Sequence, residues 1–335
     1  MATIFDVAAK ARVSVITVSR LLNNPSIVSS KTADKIYSVM ESLNYQPSEI
    51  ARSLVKKRTN TIGVIMPDIK NTFFNSWFRY VEEYAAAAGY NLLLCNTDEH
   101  AEIEMKYIKL LQAQRVDGII VVPCSKKSVE YLAKSGINFI LVDRAFEKIK
   151  TDYVITDHYA GAFEATEYLI KLGHRKIAVL RGAGELFPDI ERFRGFLAAM
   201  RKHHLKIDNN LVLNCEFDDF SACKTMRDLL KKKERPSAIF SFNSLMMVGA
   251  IKAIKGAKLE IPKHISLLCF DEIPGYDIFT PGITSVVQQI EALGKESTKI
   301  LIERIKSRSQ ARRKRMLLKP KLVVGDSCRK IEKGK

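Results

Sequence analysis

From Thr61 onward, short apolar runs alternate with amphipathic helical stretches, and this alternation restricts the fold more than any other feature of the chain. The runs at 61–66, 90–95, 118–122, 139–142, 176–180, 238–241 and 265–270 have strand length and are separated by stretches of helical period. Strands spaced in this way predict parallel sheets joined by crossover helices. Two such units are expected, the second opening at Gly173-His174-Arg175-Lys176-Ile177. A chain of 335 residues has room for both and for a further small domain. Open α/β sheets bind ligands beyond the carboxyl ends of their strands, so residues just after each strand are the candidates for a binding site.

The first sixty residues follow another pattern. Thr3-x-x-Asp6 has the form of a capping box, and Ile4, Val7, Ala8 and Ala11 give the helix behind it an apolar face. Arg12-Val13-Ser14 reads as a tight connector, with Ser14 capping a second helix over 15–23 whose Val18, Leu21 and Leu22 point inward. A third helix, from about Ser29 to Leu43, closes a minimal core. Two short helices across a three-residue turn make a helix-turn-helix, whose second helix enters the major groove of DNA with its N-terminal residues against base edges. Val15, Ile16 and Arg20 are then the readers, and Thr17 and Ser19 hold phosphates. Val15 and Ile16 either contact thymine methyl groups or extend the core.

Charge agrees with a polyanionic partner. The formal net charge is +17, and it is concentrated at the two ends of the chain. Residues 1–60 carry nine Lys/Arg against four Asp/Glu, and residues 299–335 carry fourteen against three. The run Arg312-Arg313-Lys314-Arg315 is expected to be a solvated loop between the last helix and the last strand rather than a second DNA contact.

Other classes find little support. The six cysteines show no C-x-x-C spacing, which argues against a metal site or a disulfide framework. Gly182-Ala183-Gly184 follows a strand, but Phe187 stands where a dinucleotide fingerprint needs its third glycine. P-loop, G-x-S-x-G and H-E-x-x-H motifs are missing, so neither a cofactor nor a catalytic role is expected. With no apolar run of membrane length and no secretory signal at the start, a cytoplasmic protein without membrane contact is expected.

The ordered set Asp6-Val7-Ala8, Val13-Ser14, Thr17-Val18-Ser19-Arg20, Leu21-Leu22-Asn23, Val28-Ser29, Lys31-Thr32, Leu43-Asn44-Tyr45, Pro47 and Ala51-Arg52-Ser53-Leu54 resembles the lactose-repressor and galactose-repressor family of bacterial transcriptional regulators. The resemblance implies a three-helix DNA-binding head over 1–46, then a hinge helix and linker over 47–60. It adds Thr3, Ser14, Asn23, Ser29, Tyr45 and Ala51 to the DNA-contacting set and makes Leu54 a wedge in the minor groove. An eight-residue hinge helix is marginal alone and forms against a partner, which fits a homodimer on a palindromic operator. No heptad tail for tetramer assembly follows the last strand. Arg12 departs from the glycine usual at the turn, where a left-handed backbone costs about 1 kcal/mol.

Over the body, through about residue 328, the resemblance implies two doubly wound α/β subdomains of the periplasmic sugar-binding type. The first is expected over 61–158 with about 289–315, the second over 159–288 with about 316–328, and 329–335 is left as a tail. The cleft between them would hold a sugar or sugar acid. Phe73 and Phe74 follow the first strand, Asp143 and Arg144 the fourth, and Arg192 matches the family's effector-binding arginine. Asn243, Asp271 and Gln288 complete the set. Arg144 beside Asp143, and Arg192 beside Asp189 and Glu191, are either free to hold an acidic ligand or neutralised locally. His158, Ser244 and Gln289 depart from the family pattern. The implied function is a repressor of carbohydrate genes controlled by this effector. The rival is a sugar-binding or sugar-transforming protein without DNA recognition.

Overall fold

The computed structural model describes residues 2–45, 58–146, 148–182, 186–273, 281–307 and 312–331. They form two compact units, Met1–Thr59 and Asn60–Lys335.

In the first unit the capping box is present. The Thr3 side chain accepts from the Asp6 amide while the Asp6 carboxylate takes the Thr3 amide, and helix α1 (Ile4–Ala11) follows. Arg12 ends it in a left-handed conformation at φ 50°, the strained geometry that its place in the turn predicts. Ser14 caps α2 (Val15–Asn23) and Ser29 caps α3 (Ser30–Ser42), each hydroxyl accepting a backbone amide of its first turn. Val7, Ala8, Ala11, Val18, Leu21 and Ile36 form the buried core, and Leu22 packs at its edge.

The second unit holds two six-stranded sheets. The first runs β11-β5-β4-β3-β1-β2 from strands β1 (Thr61–Met66), β2 (Asn91–Asn96), β3 (Gly118–Val121), β4 (Asn138–Val142), β5 (Asp152–Thr156) and β11 (Arg315–Leu318). The second runs β12-β10-β9-β8-β6-β7 from β6 (Ile177–Arg181), β7 (Val212–Asn214), β8 (Ala238–Ser241), β9 (Ser266–Phe270), β10 (Thr284–Val287) and β12 (Lys321–Val323). Every pairing is parallel except β10 with β12. All seven expected runs are strands, and β5, β7 and β10 are additional. β7 has only three residues, and β5 begins on the charged Asp152, so neither presents a long apolar run.

The chain passes between the sheets after β5, after β10 and after β11. Helix α7 (His158–Lys171) packs on the second half. Helix α11 (Ile290–Ser307) returns to the first, where Leu293, Ile300 and Leu301 join the core built by Phe73, Trp77 and Val81 of α4 (Thr72–Ala87). The last return differs from expectation in two ways. The stretch from about 316, expected to belong wholly to the second half, is broken by Pro320 into two strands. β11 therefore stays in the first sheet, and the chain changes halves near 319–320 rather than 315. Residues 329–331 are also no loose tail. The Arg329 amide donates to Ser266 Oγ at 3.0 Å and the Ile331 amide to the Leu172 carbonyl at 2.7 Å. Among the described residues, no helix is long and apolar enough to cross a membrane.

Gly195 lets α7 and α8 (Phe187–Lys202) cross closely, since a Cβ there would stand 2.3 Å from the Tyr159 carbonyl oxygen. Beyond the far end of α7, His174 ties residue 329 to the second half. Its Nδ1 lies 2.8 Å from Ser237 Oγ, and its Nε2 lies 3.1 Å from the Arg329 carbonyl. Burial holds this imidazole below its ordinary value of 6.5, outweighing the bond to Arg329. The unfolded chain therefore takes up the proton first, so stability is full above pH 6.5 and is lost as pH falls from there toward the folded value. Urea unfolding at about pH 7.5 and about pH 5.5 should show the loss at the lower pH and a smaller loss in His174→Gln. An equal loss in both proteins would contradict this role.

Candidate DNA interface and effector cleft

At the head, the N-terminal turn of α2 is held by Ser14, whose Oγ accepts the Thr17 amide at 3.1 Å and lies 2.8 Å from Thr17 Oγ1. This leaves Ile16 63% exposed. The two readings of Val15 and Ile16 therefore divide. Val15 is half-buried against the head core, while Ile16 faces outward beside Arg20. Val15, Ile16, Ser19, Arg20, Asn24 and Ile27 line one shallow depression. Ile27, 61% exposed, extends this apolar surface and was not singled out from sequence because it lies beyond α2. A cation flanked by exposed aliphatic groups matches a guanine edge beside thymine methyl groups. Thr3 and Ser29 serve as helix caps, and Tyr45 packs against the head core. Asn23 ends α2. Ala51 and Leu54 lie outside the described residues.

In the second unit a cleft opens at the carboxyl ends of the strands. Its lining includes Asn71, Phe73, Phe74, Asp143, Arg144, Arg192, Asn243 and Asp271, so seven of the eight expected effector residues come together. Asn71 caps α4, accepting the Phe73 amide at 3.0 Å, which sets the two phenylalanines at the start of the helix with their rings edge to face. Asn243 caps α10 (Ser244–Gly256) in the same way through the Met246 amide at 2.7 Å. Gln288 is the exception. It sits behind the lining, donating to Asp271 Oδ1 at 2.6 Å and bonded to Thr156.

The charges are matched by partners that chain proximity does not reveal. Arg144 grips Glu99 through two nitrogens at 2.6 and 2.7 Å, and its Nε stands 3.8 Å from Asp143. Asp189 bonds Arg181 and the Gly182 amide, and Glu191 pairs with Arg194, so neither neutralises Arg192. Arg192 instead lies 3.7 Å from Asp271, donates to the Phe242 carbonyl and to His158 Nδ1, and stacks 3.7 Å above the Phe270 ring. His158 Nε2 is 3.5 Å from Asp143 Oδ1. Burial would raise the Asp143 carboxyl, yet the bond to His158 and the charges of His158, Arg144 and Arg192 hold it below its ordinary value. For Asp271 burial wins, and the carboxyl is raised despite Arg192 and Gln288.

Sequence reasoning missed Asp68, Glu99, Leu186, Pro188, Phe217 and Phe242 as lining residues. Phe242 directly follows β8 and could have been found by the strand-end rule, whereas Glu99 and Phe217 arrive on loops with no such signal. Of the basic run, Arg312, Arg313 and Lys314 form the exposed loop expected between the last helix and the next strand, and only Arg315 departs from it. Arg315 opens β11 with its guanidinium 5.6 Å over the Tyr153 ring, and Lys314 pairs with Glu303. Among the described residues, no group of three or more His, Cys, Asp or Glu is placed to hold a metal.

Residues 3–48 match the sequence profile described as bacterial regulatory proteins, lacI family, and residues 59–321 match that of periplasmic binding proteins and the sugar binding domain of the LacI family. The chain is 35% identical over 335 residues to the HTH-type transcriptional repressor PurR of Photobacterium profundum, covering 99% of this chain and 100% of that protein. The lac repressor dimer bound to operator and the anti-inducer ONPF superposes with a TM-score of 0.86 at 24% identity, over 97% of this chain and 98% of that one. A LacI family transcriptional regulator from Enterococcus faecium with bound ribose gives 0.74 at 27% identity, over 81% and 100%.

Replacing Arg20 with Ala is expected to cost about 1–3 kcal/mol of binding to the preferred DNA site while leaving affinity for unrelated duplex nearly unchanged. Fluorescence anisotropy with both duplexes separates these effects. Equal losses on the two would make Arg20 a phosphate contact.

Proposed function

The chain belongs to the lacI family of bacterial regulatory proteins and is a DNA-binding transcriptional repressor, not an enzyme, with a ligand-binding domain behind its head, and from that premise we propose that it is released from a palindromic operator, as a homodimer, by a neutral sugar held in the cleft. One observation carries the choice of a neutral ligand. Both cleft arginines already hold carboxylates, Arg144 with Glu99 and Arg192 with Asp271. The lining also carries Asp68, Asp143 and Asp189, so an anionic effector would meet more negative than positive charge.

The same wall suits hydroxyl groups. Asp68, Asp143, Arg144 and Asn243 line it with carboxylate acceptors, a guanidinium donor and an amide. Sugar hydroxyls both donate and accept, which suits such a mixed polar wall, and Phe73, Phe74, Phe217 and Phe242 supply apolar surface for the C–H side of the ring. The ribose seen in the Enterococcus faecium regulator is consistent with this class. The four phenylalanines also favour a second reading, a neutral flat heterocycle such as a nucleobase. In either case the effector acts by binding one cleft conformation better than the other, and the heads of a dimer then meet the operator differently.

A thermal-shift panel of pentoses, hexoses, sugar acids and free nucleobases tests the proposal. A neutral sugar at 100 times its Kd should stabilise the protein by about 2.7 kcal/mol. Arg192→Lys, which keeps a positive charge facing Asp271 but loses the guanidinium's fixed donors, should weaken that response. Stabilisation by sugar acids alone would refute the neutral cleft, and stabilisation by a nucleobase without any sugar would establish the second reading.

A further inference from the structure

A second cavity lies at the opposite end of the strands of the first sheet. Its volume is about 290 Å³, and its walls include Leu132, Ile137 and Phe139 together with Lys150, Asp152, Arg304 and Arg313. Asn138 and Asp152 begin β4 and β5, so the cavity sits at the amino ends of these strands while the effector cleft sits beyond their carboxyl ends. The five residues of β4 separate the two by about 16 Å.

The charges here are arranged differently from those in the cleft. Asp152 is saturated, accepting from Arg304 Nε at 2.8 Å, from Arg304 Nη2 at 2.9 Å and from the Lys314 amide at 2.7 Å. Arg304 is thereby neutralised and fixed in place by a bidentate pair. Lys150 and Arg313 stand at the same opening. Arg313 reaches Asp152 only at 3.7 Å, with its side chain 53% exposed. Among the described residues, two positive charges therefore remain around an apolar floor. A ligand carrying two negative charges on one compact group, attached to an organic body, fits both features. The volume is near the lower limit usual for small-molecule sites.

We propose that this cavity is a second ligand site, which binds a small organic phosphate monoester independently of the effector cleft. Lys150 and Arg313 hold the phosphoryl oxygens, Arg304 and Asp152 form the rigid rim, and Leu132, Ile137 and Phe139 cover the organic part.

Titration calorimetry on the full chain tests the site with phenyl phosphate as the probe, against phenyl sulfate and inorganic phosphate. Phenyl phosphate should bind saturably and at least about 10-fold tighter than either control. The double substitution Lys150→Ala with Arg313→Ala should weaken it at least about 10-fold, and Lys150→Arg with Arg313→Lys should restore most of the binding. Asp68→Asn, a neutral isostere in the effector cleft, should leave it unchanged. The site is refuted if binding does not saturate, if all three anions bind alike, if the double alanine variant binds as well as the parent, or if Asp68→Asn removes the binding.

Discussion

Arg192 stays charged wherever it is placed, and it is buried, so everything around it must supply compensation. Asp271 does so from the end of β9, the Phe242 carbonyl from the end of β8 and His158 from the start of α7, while the Phe270 ring supports the guanidinium from below. His158 carries the chain of partners on to Asp143 at the end of β4, in the other sheet. Gln288 and Thr156 fasten Asp271 at the point where the chain crosses between the halves. One buried cation thus ties together strand ends from both sheets. A ligand that touches any member of this set disturbs both halves, and that gives an effector a physical means of shifting a two-state protein.

The same network explains why the cleft residues were legible in the sequence while their partners were not. Asp143, Asn243 and Asp271 follow strands, and in an open α/β sheet the carboxyl ends of the strands are where the cleft lies. Pairing is a different matter. Arg144 stands next to Asp143 and Arg192 near Asp189, yet the bidentate partner of Arg144 is Glu99 and the carboxylate facing Arg192 is Asp271. Both partners are distant in sequence, and proximity along the chain carries little information about which charges meet once strands from different crossovers lie side by side. Gln288 was grouped with the lining because it too follows a strand, but Asp271 occupies the position in front of it.

In the fold, the strands that could be read were those with continuous apolar runs, which in β1 and β9 reflect burial on both faces and in the exposed edge strand β2 do not. β5, β7 and β10 are short or interrupted by polar residues, and their strand character comes from neighbours already in place. Pro320 was visible in the sequence, and its effect on the last strand follows from its missing amide donor. In the head, the capping residues Thr3, Ser14 and Ser29 fixed all three helix starts, because a cap is a local interaction that needs no tertiary context.

In the proposed function, ligand in the cleft and DNA at the head are coupled. Operator affinity with and without saturating effector, and effector affinity with and without operator, measured at one salt concentration, report this coupling from both sides. The two ratios must be equal, and effector is expected to weaken operator binding by between about 5-fold and 150-fold. An effector that binds the cleft while leaving operator affinity unchanged would contradict it.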